Sequence, residues 1–467
     1  MLTYEDTIAA ISTTPGPGAI ALVRFSGKSS EKILQKIFSV SSSIDSENSV
    51  REVPLIKSHF ARHGYIYDPS TKDIVDEVVC TLYKAPHSYT GEDLVEISCH
   101  GGSVICHEIL ALLLHQGARL ARPGEFTERA FLNGKMDLTQ AESVLDVIQA
   151  KTARSGRMAV SALTGRLGKR INEVRSDLIN VQTRVVAGID FPEEIGDAPE
   201  PEIERVVKMS RDLLFELASS ARAGKFLREG LKLALVGRPN AGKSSLLNQL
   251  LKFERAIVTE IPGTTRDSIE EVLDLNGIPV TLIDTAGIRH TDDRVEKIGI
   301  ERSKMAMNEA DLIILLVDLS QGWGDAEEHI VEISEEKPII ILGNKIDLID
   351  DERAFHPERM TSSAVAIIKV SAVSGKNIES LSKAIEDWVY QGARNREAPS
   401  LNMRQSALCL KSADCLGNVL DTLNAGMPQD CIASDLKIAI DALSEIAGDA
   451  VSEEIISEVF AKFCIGK

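Results

Sequence analysis

The 467-residue sequence is 43% apolar with a formal charge of −18, a globular composition with room for roughly three domains. It has no run near the ~20 apolar residues that cross a bilayer, and its acidity excludes a broad, nonspecific grip on nucleic acid. Seven cysteines without a C-x-x-C pair exclude a disulfide framework and a common zinc ribbon, so reduced thiols are expected.

The start, MLTYEDTIAA, lacks a basic n-region and carries Glu5 and Asp6, so neither a secretory signal nor an Arg-rich transit peptide is expected and the chain reads as cytoplasmic. Residues 1 to about 132 mix short β-like runs with Gly/Pro turns and read as α+β. Within them CHGGSVICHE offers Cys99, His100, Cys106 and His107, but its Gly-Gly reads better as a strand-to-helix turn than as part of a metal site. Helical periodicity dominates from about 137 to 225. There Lys151 to Arg175 carries seven Lys or Arg and one acid, Glu173: a helix face able to meet phosphate, or simply a solvated one.

Near residue 231 the texture changes to strand and loop. LKLALV is a short buried-strand run feeding into GRPNAGKSS and then the helical LLNQLL. Gly237, Gly242, Lys243 and Ser244 fit G-x-x-x-x-G-K-S/T, a loop whose N–H groups cradle phosphates while Lys meets the β and γ oxygens and Ser binds Mg²⁺. EEVLDLNGIPVTLID predicts a hairpin turning at Asn276-Gly277. LIDTAGIR then ends a strand with Asp284, suited to Mg²⁺ through water, and Gly287, whose N–H can meet a γ-phosphate.

IIILGNKIDL predicts a buried strand ending in Asn344, Lys345 and Asp347. A carboxylate there accepts two hydrogen bonds from guanine that adenine cannot supply, so guanine is selected. IIKVSAVSGKN places Ser371-Ala372 to support the base. The position after D-T-A-G, where a translation-factor or Ras-like GTPase would carry a water-orienting Gln or His, is Ile288, so hydrolysis is slow or another residue holds the water; Glu296 is available nearby.

Helical pattern returns from about 400 to 463. In EEIISEVFAKFCIGK, Ile455, Ile456, Val459, Phe460 and Phe463 form one apolar stripe, predicting a last helix docked in the helical domain and ended by Gly466. Cys464 is not in a prenylation box, because Lys467 is an unusual last residue and Gly466 is not aliphatic. The tail instead offers a thiol at Cys464, and an ammonium and a carboxylate at Lys467.

GRPNAGKSSLLN, IPGTTRD, DTAGIR, VEKIGIERS and the terminal FCIGK together resemble the bacterial tRNA-modification GTPase MnmE (TrmE) family. GAIALVRFSG, SYTGEDLVEISCHGG and PGEFTERAFLNGKMDLTQAESVLDVI are similar to that family's folate-binding domain and its junction with a helical domain. The resemblance thus covers essentially the whole chain. It implies an α+β N-terminal folate-binding and dimerisation domain over 1–132, an all-α domain in two parts, 133–228 and 393–467, and an inserted α/β P-loop G domain over 229–392.

The implied function is GTP hydrolysis that helps install a carboxymethylaminomethyl-type group on the wobble uridine of certain tRNAs. The implied partners are a second copy in a homodimer, a flavin-bearing MnmG (GidA) protein in a heterotetramer or larger complex, and tRNA. The implied cofactors are GTP/GDP, Mg²⁺, K⁺ and 5-formyl-tetrahydrofolate or a related one-carbon donor. By motif match the nucleotide would meet Asn240, Ala241, Gly242, Lys243, Ser244, Ser245, Thr259, Thr264, Thr265, Asp284, Gly287, Asn344, Lys345, Asp347, Ser371 and Ala372. Mg²⁺ would take Ser244 and Thr265, and K⁺ would take Asn240, Thr259, Ile261 and Thr264. Glu296 would position water, Arg24, Glu92, Lys135 and Lys467 would hold folate, and Cys464 would stand beside it as a catalytic thiol. The competing classes, a ribosome-assembly GTPase or a pure switch, leave residues 1–132 and the cysteine tail unexplained.

Overall fold

The computed structural model describes residues 5–41, 57–196, 198–253, 256–257, 272–283, 304–334, 337–349, 363–391 and 401–467. The chain divides into two compact units. One comprises Met1–Leu145, Leu167–Asn172 and Ser444–Lys467, the other Asp146–Arg166 and Glu173–Leu443.

The first unit runs β1 (Ile8–Ile11), β2 (Ile20–Ser26), α1 (Ser30–Ile37), β3 (Phe38–Ser39), β4 (Ala61–Tyr67), β5 (Ile74–Tyr83), β6 (Leu94–His100), α2 (Ser103–His115), β7 (Arg119–Leu120) and α3 (Glu125–Leu132), then enters α4 (Leu138–Gln149). Its sheet has the order β3-β4-β5-β6-β2-β1-β7, with β1 and β7 parallel. Period-two alternation sorts the side chains. Val23 and Phe25 of β2 and Val95 and Ile97 of β6 share a core with Ile33 and Ile37 of α1 and Ile109 and Leu113 of α2. Ile8, Ala10 and Leu94 pack in a separate cluster with Phe126 of α3.

The second unit adds α5 (Ala153–Leu163), α6 (Arg166–Asp190), α7 (Glu200–Ser219), α8 (Ala221–Glu229), β8 (Leu231–Val236), α9 (Lys243–Phe253), β9 (Ala256–Ile257), β10 (Val272–Leu275), β11 (Ile278–Ile283), β12 (Leu312–Asp318), α10 (Asp325–Ile333), β13 (Ile339–Asn344), β14 (Ala364–Lys369), α11 (Ile378–Val389) and α12 (Met403–Asn424). The helices α13 (Asp430–Ala447) and α14 (Glu453–Ala461) close the chain. The sheet order is β14-β13-β12-β8-β11-β10-β9, parallel from β14 to β11. Every residue of β12 and β13 is buried, the signature of central parallel strands covered on both faces. The predicted hairpin is present: β10 and β11 pair antiparallel around Asn276 (φ 53°) and Gly277 (φ 86°), the two left-handed positions that a tight I′ turn requires.

The helical stretches before and after the α/β fold pack together, α7 against α12. Gln429 exchanges two hydrogen bonds with the main chain of Ala198, at 3.1 and 2.7 Å, and Arg228 Nη2 donates to Leu401 O at 2.7 Å. The last helix packs on α4, within the predicted helical part 133–228, but ends earlier than expected. Phe460 and Phe463 pack with Leu138 and Ala141 of α4, beside Phe131 of α3, so α14 belongs to the first unit. The helix ends at Ala461 with Lys462 as its cap rather than at Gly466. Gly466 instead lies against β1, its carbonyl accepting from Ser12 Oγ at 3.0 Å. No described helix is long and apolar enough to cross a membrane.

Candidate functional site

The loop from β8 to α9 is built largely from main chain. Asn240 (φ 62°) and Gly242 (φ 103°) turn the chain so that α9 opens at Lys243, and the first N–H groups of a helix have no intrahelical acceptor and favour anions. A Cβ on Gly242 would stand 2.2 Å from Asn344 Nδ2, so the position admits glycine alone. Lys243 Nζ donates to Gly237 O at 2.7 Å and to Arg238 O at 2.8 Å, and burial lowers its pKa. Asn240, Ser244 and Ser245 are exposed.

Asn344 joins three motifs. Its Nδ2 donates to Ala241 O at 2.8 Å, and its Oδ1 accepts from Ala372 N at 2.9 Å, next to fully buried Ser371. Lys345 reaches back to Asp318 at the end of β12, Nζ to Oδ2 2.6 Å. Burial pushes the Asp318 carboxyl up, but Lys345 and Ser320 outweigh it and hold the pKa low. Asp347 is exposed on the short 3₁₀ turn that follows. The structure therefore gathers the phosphate loop, Asn344, Lys345, Ser371 and Ala372 at the carboxyl ends of the parallel strands, where open α/β sheets bind ligands. Thr259, Ile261, Thr264, Thr265, Asp284, Gly287, Ile288 and Glu296 lie outside the described residues. Sequence reasoning missed Arg238, which pairs with the buried Glu327 that closes the first turn of α10. The signal was only an arginine inside the loop.

A second constellation lies in the first unit. Arg129, fully buried, donates Nη1 to both oxygens of Glu92 (3.2 and 3.1 Å) and Nη2 to Asp6 (2.7 Å) and Glu125 (3.1 Å). Burial pushes Glu125 up, but Arg119, the Arg122 N–H and Arg129 outweigh it and hold its pKa at about 2. Glu92 also accepts from Ser26 Oγ at 2.9 Å; a carboxylate has about four acceptor sites, so capacity remains on Oε1.

Arg24 pairs with Glu96 at 2.6 Å and lies 5.6 Å from the ring centres of both Tyr89 and Phe126, with its buried Nε lacking a partner. Lys135 Nζ donates to Pro86 O at 3.1 Å, and its stem lies beside Gly91. The tail runs past the start of α3: Ile465 bridges Pro123, Gly124 N donates to Cys464 O at 3.4 Å, and Phe126 N donates to Lys467 O at 3.2 Å. Cys464 is exposed. Arg24, Glu92, Lys135 and Lys467 thus each touch either the 84–93 loop or α3. Two aromatic faces, an orphaned guanidinium nitrogen and a held carboxylate form a set that suits a flat, anionic heterocycle. Arg129 is the residue sequence reasoning missed, because PGEFTER gives no hint that its arginine is buried.

The remaining motifs resolve more simply. Gly101-Gly102 is the turn from β6 to α2; His100 is spent on Asp76 (2.7 Å) and His107 on Ser103 O (2.7 Å). Among the described residues no His/Cys/Asp/Glu cluster could hold a metal. In the basic segment, Arg157, Arg166, Lys169 and Arg170 are exposed, whereas Arg154 pairs with Glu386 at 2.9 Å.

Residues 138–464 match the family model described as the MnmE helical domain, and residues 7–135 that of the GTP-binding protein TrmE N-terminus. The chain is 43% identical over 470 residues to the tRNA modification GTPase MnmE of Lactobacillus johnsonii, covering 100% of this chain and 99% of that one. It is likewise 43% identical over 470 residues to the protein of the same name from Thermoanaerobacter pseudethanolicus, covering 99% of each. The Streptococcus pneumoniae serotype 4 protein is 44% identical over 475 residues, with both chains covered in full.

Proposed function

The chain belongs to the MnmE family of tRNA-modification GTPases, and from that premise we propose that it couples GTP hydrolysis to placing a carboxymethylaminomethyl-type group on the wobble uridine of certain tRNAs, with a flavin-bearing partner. It is a GTPase that acts in tRNA modification. The observation that carries the nucleotide reading is Asn344, whose one side chain links the phosphate loop to the Ser371-Ala372 turn. The guanine edge would then meet Asp347, Lys345 would stack along the base, and Lys243 would leave its two loop carbonyls for the β and γ oxygens.

Ser244 and Thr265 would hold Mg²⁺. Asn240, Thr259, Ile261 and Thr264 would hold K⁺, whose charge offsets that building on the leaving phosphate. Exposure of Ser244 and Asn240 at the mouth of the loop supports that fit. Glu296 would orient water. In the first unit Arg24, Glu92, Lys135 and Lys467 would bind a folate, which supplies the one-carbon unit. Arg129 holds Glu92 in place through two hydrogen bonds, and Cys464 is exposed beside this set. The packing of α7 on α12 supports a G domain over 229–392 inserted between helical parts 133–228 and 393–467; the N-terminal domain over 1–132 would pair two copies.

The experiment is mass spectrometry of tRNA nucleosides from cells lacking the protein, alongside GTP hydrolysis in KCl and in NaCl. Loss of the modified wobble uridine and faster hydrolysis in KCl are expected. Intact wobble modification would instead favour the ribosome-assembly or switch reading. Asp347→Asn should exchange guanine for xanthine preference, since xanthine presents an acceptor where guanine presents a donor. Equal competition by ATP in a nucleotide-displacement assay would rule the guanine reading out.

A further inference from the structure

Thr152 and Arg154 stand at the start of α5, in the basic segment that the nucleotide chemistry leaves unused. Thr152 caps the helix, its Oγ1 accepting from Ser155 N at 3.1 Å, and it spends its single proton on Gly277 O at 2.7 Å. Arg154 Nη1 donates to Asn276 O at 3.1 Å and to Glu386 Oε1 at 2.9 Å, and its guanidinium lies 4.7 Å from the ring centre of Tyr390. Asn276 Nδ2 closes the circle on Glu386 Oε2 at 3.4 Å. The approach is tight: a Cβ on Gly277 would stand 2.6 Å from the Cβ of Arg154, so the hairpin tip meets α5 without room for a side chain.

Asn276 and Gly277 are the tip of the β10–β11 hairpin, and the other end of β11 leads to the nucleotide. β11 pairs in parallel with β8, Ile283 opposite Ala234, and the next residue in sequence is Asp284 of D-T-A-G. A two-residue turn leaves no slack between the strands, so a six-residue strand of about 20 Å acts as one stiff element. Arg154 is also a poor phosphate contact, because Glu386 already answers its charge.

We propose that Thr152 and Arg154 are positioning residues that grip the β10–β11 tip, so that the nucleotide at the far end of β11 sets the state of α5. This rests on the reading that D-T-A-G meets the γ-phosphate. Both ends would be coupled through one element whose arrangement each biases.

The test is hydrogen exchange of the full chain, comparing GDP with a non-hydrolysable GTP analogue. Both nucleotides should protect 237–253, and exchange across 153–163 should differ between them by about threefold or more. Thr152→Val combined with Arg154→Ala should erase that difference in α5 while 237–253 stays protected. Thr152→Ser, which keeps the hydroxyl, should preserve it. Equal α5 exchange in the wild type, or a difference that survives the double variant, overturns the latch. Missing protection at 237–253 would instead overturn the nucleotide reading on which it stands. If the double variant exchanges throughout, Arg154→Ala alone, which keeps the Thr152 cap of α5 and removes the bond to Asn276 O, decides by the same criteria.

Discussion

The phosphate loop and the Arg129 cluster both handle charge, by opposite means. Around Gly242 most of the polar work is done by peptide groups, organised by two left-handed residues and one bridging asparagine, Asn344. Around Arg129 it is done by full charges, one fully buried guanidinium shared among half-exposed Asp6, Glu92 and buried Glu125. Main chain costs little to desolvate once it is paired, so such a loop can open to a ligand and close again. A buried ion cluster has no such freedom: removing Arg129 takes from Glu92 and Glu125 a partner that is itself fully buried. The first arrangement suits a site that exchanges its nucleotide, the second a site whose shape must not change.

The largest expected effect breaks the second arrangement. Arg129→Ala leaves three carboxylates without their shared partner and should destabilise the first unit by about 3–5 kcal/mol. Urea unfolding followed by limited proteolysis should show residues 5–145 opening before the α/β fold. A loss below about 1 kcal/mol would mean the cluster contributes little.

A smaller effect appears on acidification. Glu125 has its folded pKa lowered to about 2, so its contribution is complete above its ordinary unfolded value and is lost as pH falls toward about 2. Across that window the first unit should lose roughly 3 kcal/mol, and Glu125→Gln should flatten the profile while lowering stability at neutral pH. A wild-type stability that is unchanged between pH 5 and 2.5 would contradict the depressed carboxyl.

The smallest effect on folding, though not on binding, falls on the loop. Gly242→Ala forces a side chain into a left-handed position and against Asn344, costing about 1–3 kcal/mol. It should weaken GTP by about tenfold or more in a fluorescent-nucleotide titration. Unchanged affinity would separate the loop geometry from nucleotide binding and erase the contrast drawn above.

The same contrast explains what could be read in the sequence. The loop, the Asn276-Gly277 turn and the strands β8 and β13 were legible because local spacing and local conformation determine them. Asn344 could be assigned to guanine by its motif, but its bond to Ala241, over a hundred residues away, could not. Nothing local marks Arg129 as fully buried, because its three partners come from the N-terminus, the 84–93 loop and its own helix. The docking of α14 on the helical domain was expected, but its partners there could not be named for the same reason. Its apolar stripe was plain, but a stripe says that a face is covered and not by what, and the cover is Leu138 and Ala141 of α4.

The seam between Pro123 and Ile465 has a consequence for how the molecule is made. Residues 8–12 and 119–132 leave the ribosome early, yet the pairings that finish their surroundings come from residues 460–467, more than three hundred positions later. The complete α/β fold is synthesised in between and can form at once, since most of its pairings are closer in sequence. The first unit must therefore hold its place with an open flank beside α3 and α4 while the rest of the chain emerges. A chain interrupted before residue 460 would carry a finished nucleotide fold attached to an N-terminal unit still exposing the apolar surface around Phe131 and Leu138 to chaperones and proteases.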